Sequence, residues 1–205
     1  MDSMFYQLLL PLLAAHMLGD FVFQSDNDVK NKKHLGVFFK HIMIVTLLSY
    51  LFTGVWGDLY IALSILISHT IIDLIKRAFK KDSLVLFIVD QLAHLLVIFV
   101  LSFYMRDIFA NNNILQSFWY EVFGVVYLKS LTILISIILA SKFSSIIVSY
   151  IIKPFQNASL SKEGTGSQKN IGRLVGQLER ILILILFLAD MAAVVGFLIT
   201  AKSGA

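Results

Sequence analysis

Six apolar stretches, each long enough to cross a bilayer as a helix, dominate this sequence. They cover residues 4–24, 38–56, 59–77, 84–105, 122–152 and 172–200. A membrane-spanning helix needs about 20 consecutive, mostly apolar residues. The chain of 205 residues is also 58% hydrophobic and only 15% charged, which is more apolar surface than a soluble domain can bury. We therefore expect an all-α integral membrane protein with six transmembrane helices.

Lysine and arginine concentrate in alternate loops, and this bias predicts the orientation. The first, third and fifth loops hold Lys30, Lys32, Lys33 and Lys40, then Lys76, Arg77, Lys80 and Lys81, then Lys153, Lys162, Lys169 and Arg173. In the second and fourth loops the only basic residue is Arg106. By the positive-inside rule, the odd-numbered loops are cytoplasmic and both termini lie outside. Asp2 stands where a signal peptide would be positive, so we expect the first helix to be retained.

Two polar breaks predict the domain organisation. The segment QNASLSKEGTGSQKN at 156–170 is rich in Gly and Ser and predicts a flexible cytoplasmic loop between the fifth and sixth helices. The segment RDIFANNN at 106–113 separates the first four helices from the last two. We therefore expect a four-helix bundle over 1–106 and two further transmembrane helices over 107–205.

A repeat of histidine and aspartate lies within the first four apolar stretches. It consists of His16, Asp20 and His41, followed 53 positions later by His69, Asp73 and His94. Residues four apart share one face of a helix, so each His-x-x-x-Asp pair presents two side chains together. The repeat predicts two helical hairpins related by a pseudo-twofold axis along the membrane normal. It also predicts that all six side chains meet near the cytoplasmic face.

Imidazole and carboxylate side chains in this pattern are typical ligands of a divalent metal. Zinc is the first expectation, with manganese and iron as alternatives. A bound cation explains why lipid tolerates these clustered groups, since one unpaired Asp at the bilayer centre costs about 2.5–3.5 kcal/mol. The alternative is a set of His–Asp hydrogen bonds that locks the bundle. Asp90 breaks the symmetry, because its counterpart in the first repeat is Val37.

Three of these motifs resemble a known but uncharacterised family. HMLGDFVFQ, SHTIIDLIK and DQLAHLL resemble bacterial integral membrane proteins that are classed only as a domain of unknown function. Longer members are also similar to this chain at GRLVGQLER and GFLITAKS. The resemblance implies a multi-pass protein of the bacterial cytoplasmic (inner) membrane. It implies no activity, so the function is inferred from the residues.

The predicted function is a metal-dependent hydrolase at the cytoplasmic face. A bound metal lowers the pKa of its water to about 7, which supplies hydroxide at neutral pH. Asp90 is the predicted catalytic base, because it alone lacks a symmetric partner. We expect a lipid or lipid-linked substrate, which reaches the site through the membrane or its interface. Membrane lipids are therefore the expected partners, whereas the net charge of +4 is dispersed over loops and excludes a nucleic-acid-binding face.

Two other functions stay open at the level of the sequence. The first is a divalent cation transporter, because paired His-x-x-x-Asp motifs resemble the zinc site of cation diffusion facilitators. Here the motifs lie on helices one and three, and a site with this many ligands would hold an ion too tightly for easy release. The second is a non-enzymatic membrane adaptor, in which a metal or His–Asp hydrogen bonds only hold the bundle together.

Three polar residues outside the repeat are further candidates. Gln24 continues the stripe of His16 and Asp20 by one turn, so we expect it to orient Asp20, to contact the substrate or to be solvated at the helix end. Lys129 and Asp190 lie within the fifth and sixth helices, at depths that allow an ion pair.

Small residues four apart in the sixth helix allow close approach of another helix. They form the patterns Gly172-x-x-x-Gly176 and Ala192-x-x-x-Gly196. These faces permit a homo-oligomer.

Overall fold

The structure is a computed structural model that describes residues 3–25, 27–28, 31, 34–79, 83–112, 117–158 and 166–203. All regular elements in these ranges are helical, which confirms the all-α class. In chain order they are α1 (Ser3–Phe21), α2 (Leu35–Thr53), α3 (Tyr60–Ala78), α4 (Leu84–Asn112), α5 (Phe118–Phe123), α6 (Val125–Ile138), a π-helical segment (Leu139–Phe143), α7 (Ser144–Ala158), α8 (Gly166–Leu188) and α9 (Ala192–Ser203).

Parts of the predicted loops lie outside the described residues. These are Lys30, Lys32, Lys33, Lys80, Lys81 and Lys162, together with 159–165 of the predicted loop at 156–170. The two ends of that predicted loop are helical, because α7 extends to Ala158 and α8 begins at Gly166.

The chain divides into two compact units, Met1–Ile135 and Ser136–Ala205. In the first unit, α1 contacts α2 and α4, and α3 contacts the same two helices. The four helices therefore form a closed ring in which each element touches its sequence neighbours. The predicted boundary at 106/107 lies inside this unit, because the chain after α4 folds back onto α2.

The contact of α5 with α2 is made at a helix end that requires glycine. Gly54 ends α2 with φ of 64°, a left-handed conformation that other residues rarely adopt. Its carbonyl accepts a hydrogen bond from the backbone N–H of Phe118 at 3.1 Å. A Cβ at Gly54 would lie 2.8 Å from Cδ1 of Trp119. The absence of a side chain therefore allows both the turn and the close approach of α5.

An apolar core fills the end of the ring opposite the first and third loops. It consists of Leu8, Leu12, Val45, Val55, Ile61, Ile65, Ile98 and Met105, all buried. Three pairs in this core stand at the same 53-residue offset as the histidines: Leu8 with Ile61, Leu12 with Ile65, and Val45 with Ile98. The pattern of burial therefore repeats along with the pattern of residue types.

Helices α1 and α2 approach each other closely at Gly19. A Cβ at this position would lie 2.5 Å from Cγ2 of Val45, which is closer than non-bonded carbons approach in proteins. Gly19 lies one residue before Asp20, so this contact fixes the height of Asp20 relative to α2.

Four helices are long and apolar enough to cross a membrane. They are Met4–Phe21, Leu35–Thr53, Leu84–Arg106 and Val125–Ile152. They correspond to the first, second, fourth and fifth predicted spans. The outward faces of α2 and α4 carry large exposed apolar side chains, among them Phe39, Met43, Leu92 and Leu96. With polar groups inside and apolar groups outside, the ring has the distribution expected of a protein in lipid.

The fifth predicted helix, 122–152, is interrupted in the structure. The break at Gly124, with φ of 55°, separates α5 from α6. Farther along, the π-helical segment is held by Arg180 of α8, whose guanidinium donates to the carbonyl of Ala140 at 2.9 Å and to Oγ of Ser145 at 2.8 Å. The first of these bonds gives a partner to the carbonyl of Ala140, which lies in the wider turn of the π-helix.

The continuous sixth helix predicted over 172–200 is wrong, because α8 ends at Leu188 and α9 begins at Ala192. Asp190 has φ of 58°, and the N–H of Met191 bonds the carbonyl of Leu186 at 2.9 Å. The N–H of Asp190 bonds the carbonyl of Phe187 at 3.1 Å. These two backbone hydrogen bonds around a left-handed residue form a Schellman motif, which ends the helix. Aspartate is among the few residues that tolerate the left-handed conformation.

Candidate metal centre

The structure brings all six side chains of the sequence repeat into one cluster at the loop-one and loop-three end of the ring. Helix α1 contributes His16 and Asp20, α2 His41, α3 His69 and Asp73, and α4 His94. Five of them are buried, and the side chain of Asp20 is 10% exposed. We call these six residues the His/Asp cluster.

Four ligand-type atoms meet at the centre of the His/Asp cluster. Nε2 of His41 lies 3.1 Å from Nε2 of His69 and 3.5 Å from Oδ2 of Asp73. Oδ1 of Asp20 lies 3.5 Å from the first of these nitrogens and 3.7 Å from the second. Two ligands about 2.0–2.1 Å from a tetrahedral zinc are about 3.3–3.4 Å apart. Each of these four separations is thus close to that of two ligands of a small divalent cation.

His16 presents a nitrogen lone pair toward the same place. Its Nε2 lies 3.3 Å from Oε1 of Gln91, and an amide oxygen only accepts hydrogen bonds, so Nε2 carries the proton. Nδ1 therefore holds the lone pair and lies 3.7 Å from Oδ1 of Asp20. Among the described residues, neither of these two buried atoms has a hydrogen-bond partner.

His94 is oriented by the backbone of its own helix. Its Nδ1 donates to the carbonyl of Asp90 at 2.9 Å, which leaves the lone pair on Nε2. That buried Nε2 has no hydrogen-bond partner in the part of the chain that the structure describes. The ring stacks on His16 with centroids 4.9 Å apart and lies 4.2 Å from the ring of His69.

Two overlapping groups within the cluster have the spacing of a metal site. They are His16, Asp20 and His69, and His41, His69 and Asp73; within each group the ligand atoms lie within 4.8 Å of one another. His69 belongs to both. An imidazole–carboxylate set of this kind suits zinc, manganese or iron by the chemistry of its donors.

Asp90, the predicted proton acceptor, lies in an ion pair with a residue that the sequence placed in a loop. Nζ of Lys76 donates to its Oδ2 at 2.6 Å, and Lys76 is 25% exposed. Nε2 of Gln91 donates to the same oxygen at 3.2 Å. Oδ1 of Asp90 is buried without a hydrogen-bond partner among the described residues.

Gln91 is the residue of this site that the sequence prediction missed. Its amide contacts His16 through Oε1, and its Nε2 donates to Oδ2 of Asp20 at 3.3 Å as well as to Asp90. It therefore links one end of the cluster to the Lys76–Asp90 pair. The available signal was its position three residues before His94, which places both on one face of α4.

A pocket opens beside His41 at the loop-one end of the ring. It is lined by Phe23, Gln24, Asp28, Val37, Lys40, His41 and Ile44. Gln24 faces this pocket, and its Nε2 is buried without a hydrogen-bond partner among the described residues. Asp28 accepts hydrogen bonds from the hydroxyl and backbone N–H of Ser25. These bonds, the hydroxyl first, hold the pKa of Asp28 below its usual range.

A second cavity, of about 10 Å³, lies on the side of the cluster that faces the apolar core. Its walls include His16, His69 and His94, together with Ser49 and Ser68. Its volume is close to that of one water molecule.

Lys129 and Asp190 are both exposed, on α6 and at the end of α8 respectively. They belong to the two separate units, so their ion pair stays a prediction. A Cβ added at Gly172 or Gly196 would have no atom of another part of the described chain within 4 Å. The homo-oligomer predicted from these faces likewise stays a prediction.

Comparison with known proteins gives one match. The model of a family described as "Protein of unknown function (DUF3307)" matches residues 8–123, more than half of the chain and all of the His/Asp cluster. No curated protein and no solved structure matches the sequence. The expectation of an uncharacterised family is thereby confirmed, whereas GRLVGQLER and GFLITAKS lie beyond the matched residues.

Proposed function

The chain belongs to the DUF3307 family, whose description assigns no function, and from the geometry of its own side chains we propose a membrane-embedded, metal-dependent hydrolase of lipid or lipid-linked substrates. The observation that carries this proposal is the convergence of two carboxylates and four imidazoles in a buried site. Three of their atoms, Nδ1 of His16, Oδ1 of Asp20 and Nε2 of His94, have no hydrogen-bond partner in the described chain. A cation supplies the missing partner, since buried polar atoms are costly when left unpaired.

In this proposal α3 is also a membrane span, although Asp73, Lys76 and Arg77 lower its hydropathy. Its outward face is apolar, with Leu63, Ile67, Ile71, Leu74 and Ile75 exposed. Its charged groups meet partners on neighbouring helices: Lys76 pairs with Asp90 on α4, and the guanidinium of Arg77 lies 4.6 Å from the ring centroid of Phe38 on α2. We place the sixth crossing in the α8–α9 pair.

The same proposal relates the α1–α2 and α3–α4 hairpins by a pseudo-twofold axis along the membrane normal. The repeated residue types and the repeated burial at one offset support it. With odd-numbered loops cytoplasmic, the His/Asp cluster lies near the cytoplasmic face of a bacterial inner membrane, and both termini lie outside.

The two overlapping groups, His16/Asp20/His69 and His41/His69/Asp73, would hold the metal. His94 would support them with the lone pair of its Nε2. Zinc is the favoured ion because the donors are nitrogen and oxygen and their spacing is short. Gln91 would keep the ring of His16 and the carboxylate of Asp20 in place, as hydrogen-bonded neighbours of metal ligands commonly do.

When bound, a divalent cation makes hydroxide available from water at neutral pH. Oδ1 of Asp90 is the acceptor that we assign for the proton of that water, because it is buried and takes no hydrogen bond from the described chain. Lys76 keeps the other oxygen paired, so Asp90 retains its place beside the cluster. A substrate with an apolar tail would arrive from the lipid with its scissile ester at the level of the headgroups.

One observation favours a second candidate, a divalent cation transporter. The cluster lies between the pocket beside His41 and the small cavity lined by Ser49 and Ser68. Spaces on both sides of a cation site are what a transport path requires. The many ligands argue against it, because tight binding slows release. An adaptor with a structural metal is the third candidate.

Metal content is the decisive measurement for the proposal. Protein purified in detergent without chelator should carry a stoichiometric divalent metal by elemental analysis. The double variant His69→Ala/Asp73→Ala should lose it, because both overlapping ligand groups contain His69. The matched control is His34→Ala, which removes an exposed histidine outside the cluster. A wild-type protein that neither retains nor takes up metal would contradict the proposal.

Turnover then separates the three candidates. In liposomes that contain phospholipid, the hydrolase should release a water-soluble product when metal is present and none after chelation. Metal flux into sealed proteoliposomes without lipid cleavage would identify the transporter instead. A bound metal with neither activity would identify the adaptor.

A further inference from the structure

The two halves of the repeat differ on the loop side of the His/Asp cluster. In the second half, Lys76 and Asp90 form the 2.6 Å ion pair that links α3 to α4. The residues 53 positions earlier are Phe23 and Val37, which have no charge to pair. In the first half these two apolar side chains are instead walls of the pocket beside His41. Among the described residues, the position that an ion pair occupies in the second half is therefore part of a pocket in the first half.

The open pocket combines hydrogen-bond donors with apolar walls. The buried Nε2 of Gln24 has no partner among the described residues, and an amide nitrogen only donates. Lys40 is 57% exposed, and its Nζ lies 3.5 Å from Oδ2 of Asp28. An exposed ion pair of this length contributes little, so the ammonium is able to turn to another anion. Phe23, Val37 and Ile44 supply the apolar surface.

We propose that this pocket binds the phosphate group of a membrane lipid, with Gln24 and Lys40 as donors and the apolar walls against the adjoining chain. A phosphate offers several strong acceptor oxygens, and lysine binds it as a point charge. His41 is both a wall of the pocket and a member of the cluster. If the protein is the proposed hydrolase, the lipid bound here is its substrate class, and it enters from the loop-one side. Only this interpretation rests on the proposed function; the binding of lipid does not.

Lipid binding tests the proposal directly. Native mass spectrometry of the protein in detergent would compare added phosphatidic acid with diacylglycerol, which carries the same acyl chains but no phosphate. Wild-type protein should retain phosphatidic acid in preference. The double variant Gln24→Leu/Lys40→Leu should weaken this binding by about tenfold or more, the effect expected from loss of charged hydrogen bonds. Lys142→Leu is the control for a general loss of positive charge, because Lys142 is exposed and outside the pocket.

A second variant tests the asymmetry itself. Phe23→Lys/Val37→Asp gives the first half the residue types that form the closing ion pair in the second half. It should abolish binding of phosphatidic acid while the metal content stays at the wild-type level. If either double variant bound the lipid as wild type does, the proposal would be overturned.

Inorganic phosphate distinguishes the source of the phosphate group. Protein that binds inorganic phosphate but shows no preference for phosphatidic acid would overturn the lipid assignment. The metal-free variant His69→Ala/Asp73→Ala separates this inference from the proposed function. Retention of phosphatidic acid by that variant supports the pocket even if no metal-dependent hydrolysis is found.

Discussion

At the scale of single residues, Gln91 links three polar residues of the site to one another. Its amide oxygen and nitrogen contact His16 and Asp20 on α1 and Asp90 on its own helix, α4. Each contact uses the atom that the chemistry requires, an acceptor for the imidazole N–H and a donor for the carboxylates. The residue therefore sets the tautomer of one proposed metal ligand and the orientation of another.

Replacement of this amide should weaken metal binding. Gln91→Met keeps the length of the side chain and removes both hydrogen-bonding atoms, so metal affinity should fall by about 10–100-fold, as is usual when groups that orient ligands are lost. Metal titration of chelator-stripped protein with a competing dye measures the change. Gln7→Met is the matched control, because Gln7 is also buried on the same bundle but lies more than two helical turns before His16. Equal affinity in wild type and Gln91→Met would show that this amide does not orient the ligands.

The cluster residues that the sequence revealed follow either a short-range rule or the 53-residue repeat. His16 with Asp20, and His69 with Asp73, share a face because four residues make about one helical turn. Lys76 with Asp90 obeys no such rule. The two lie on different helices, and their contact depends on how far α4 is shifted along α3, which no spacing in the sequence encodes. Gln91 was not predicted for the same reason, since two of its three partners, His16 and Asp20, lie on α1.

At the scale of elements, the α1–α2 contact depends on a missing side chain. Gly19→Ala should force α1 away from α2, because the new methyl would lie 2.5 Å from Cγ2 of Val45. Overpacking of this kind costs about 1–3 kcal/mol, so the variant should unfold at lower temperature. The loss of helical circular dichroism on heating in detergent measures it.

Two further variants complete that experiment. Val45→Ala should relieve part of the effect of Gly19→Ala, which a double-mutant cycle detects as a coupling energy. Gly36→Ala is the matched control, because Gly36 lies in the first turn of α2 with nothing within 4 Å of its Cβ position. It should leave stability unchanged or raise it by about 0.5–1 kcal/mol through helix propensity. A Gly19→Ala protein as stable as wild type would show that the contact is looser than described.

Hydropathy located the helices but not the breaks inside them. The first three predicted spans agree with α1 to α3 to within three residues, because lipid-length apolar stretches separated by polar loops leave little choice. The fourth begins where predicted, but α4 continues seven residues beyond its predicted end. The breaks at Gly124 and at Asp190 lie inside apolar sequence. Both are produced by the backbone conformation of a single residue. A mean hydropathy over about 20 residues does not detect such a residue.

At the scale of the whole molecule, labelling of single cysteines tests the predicted orientation in the membrane. The chain contains no cysteine, so a single introduced cysteine is a unique label site. Gly57→Cys in the second loop should react with an impermeant maleimide in intact cells, whereas Asn27→Cys in the first loop should react only after the cytoplasmic membrane is permeabilised. Both positions are exposed. Wild-type protein is the unlabelled control, and the opposite pattern of labelling would reverse the topology.

In the proposed topology, in which α3 also spans the membrane, its ionic residues influence how the chain enters the bilayer during biogenesis. A carboxylate or ammonium presented alone to lipid costs about 2.5–3.5 kcal/mol at the translocation channel. The group that neutralises Lys76 lies on α4, which is still to be synthesised when α3 leaves the ribosome. Helix α4 is also the most hydropathic of the four candidate spans, with a mean hydropathy of 2.5. Integration of α3 should therefore wait for α4, so that the second hairpin enters the membrane as one unit.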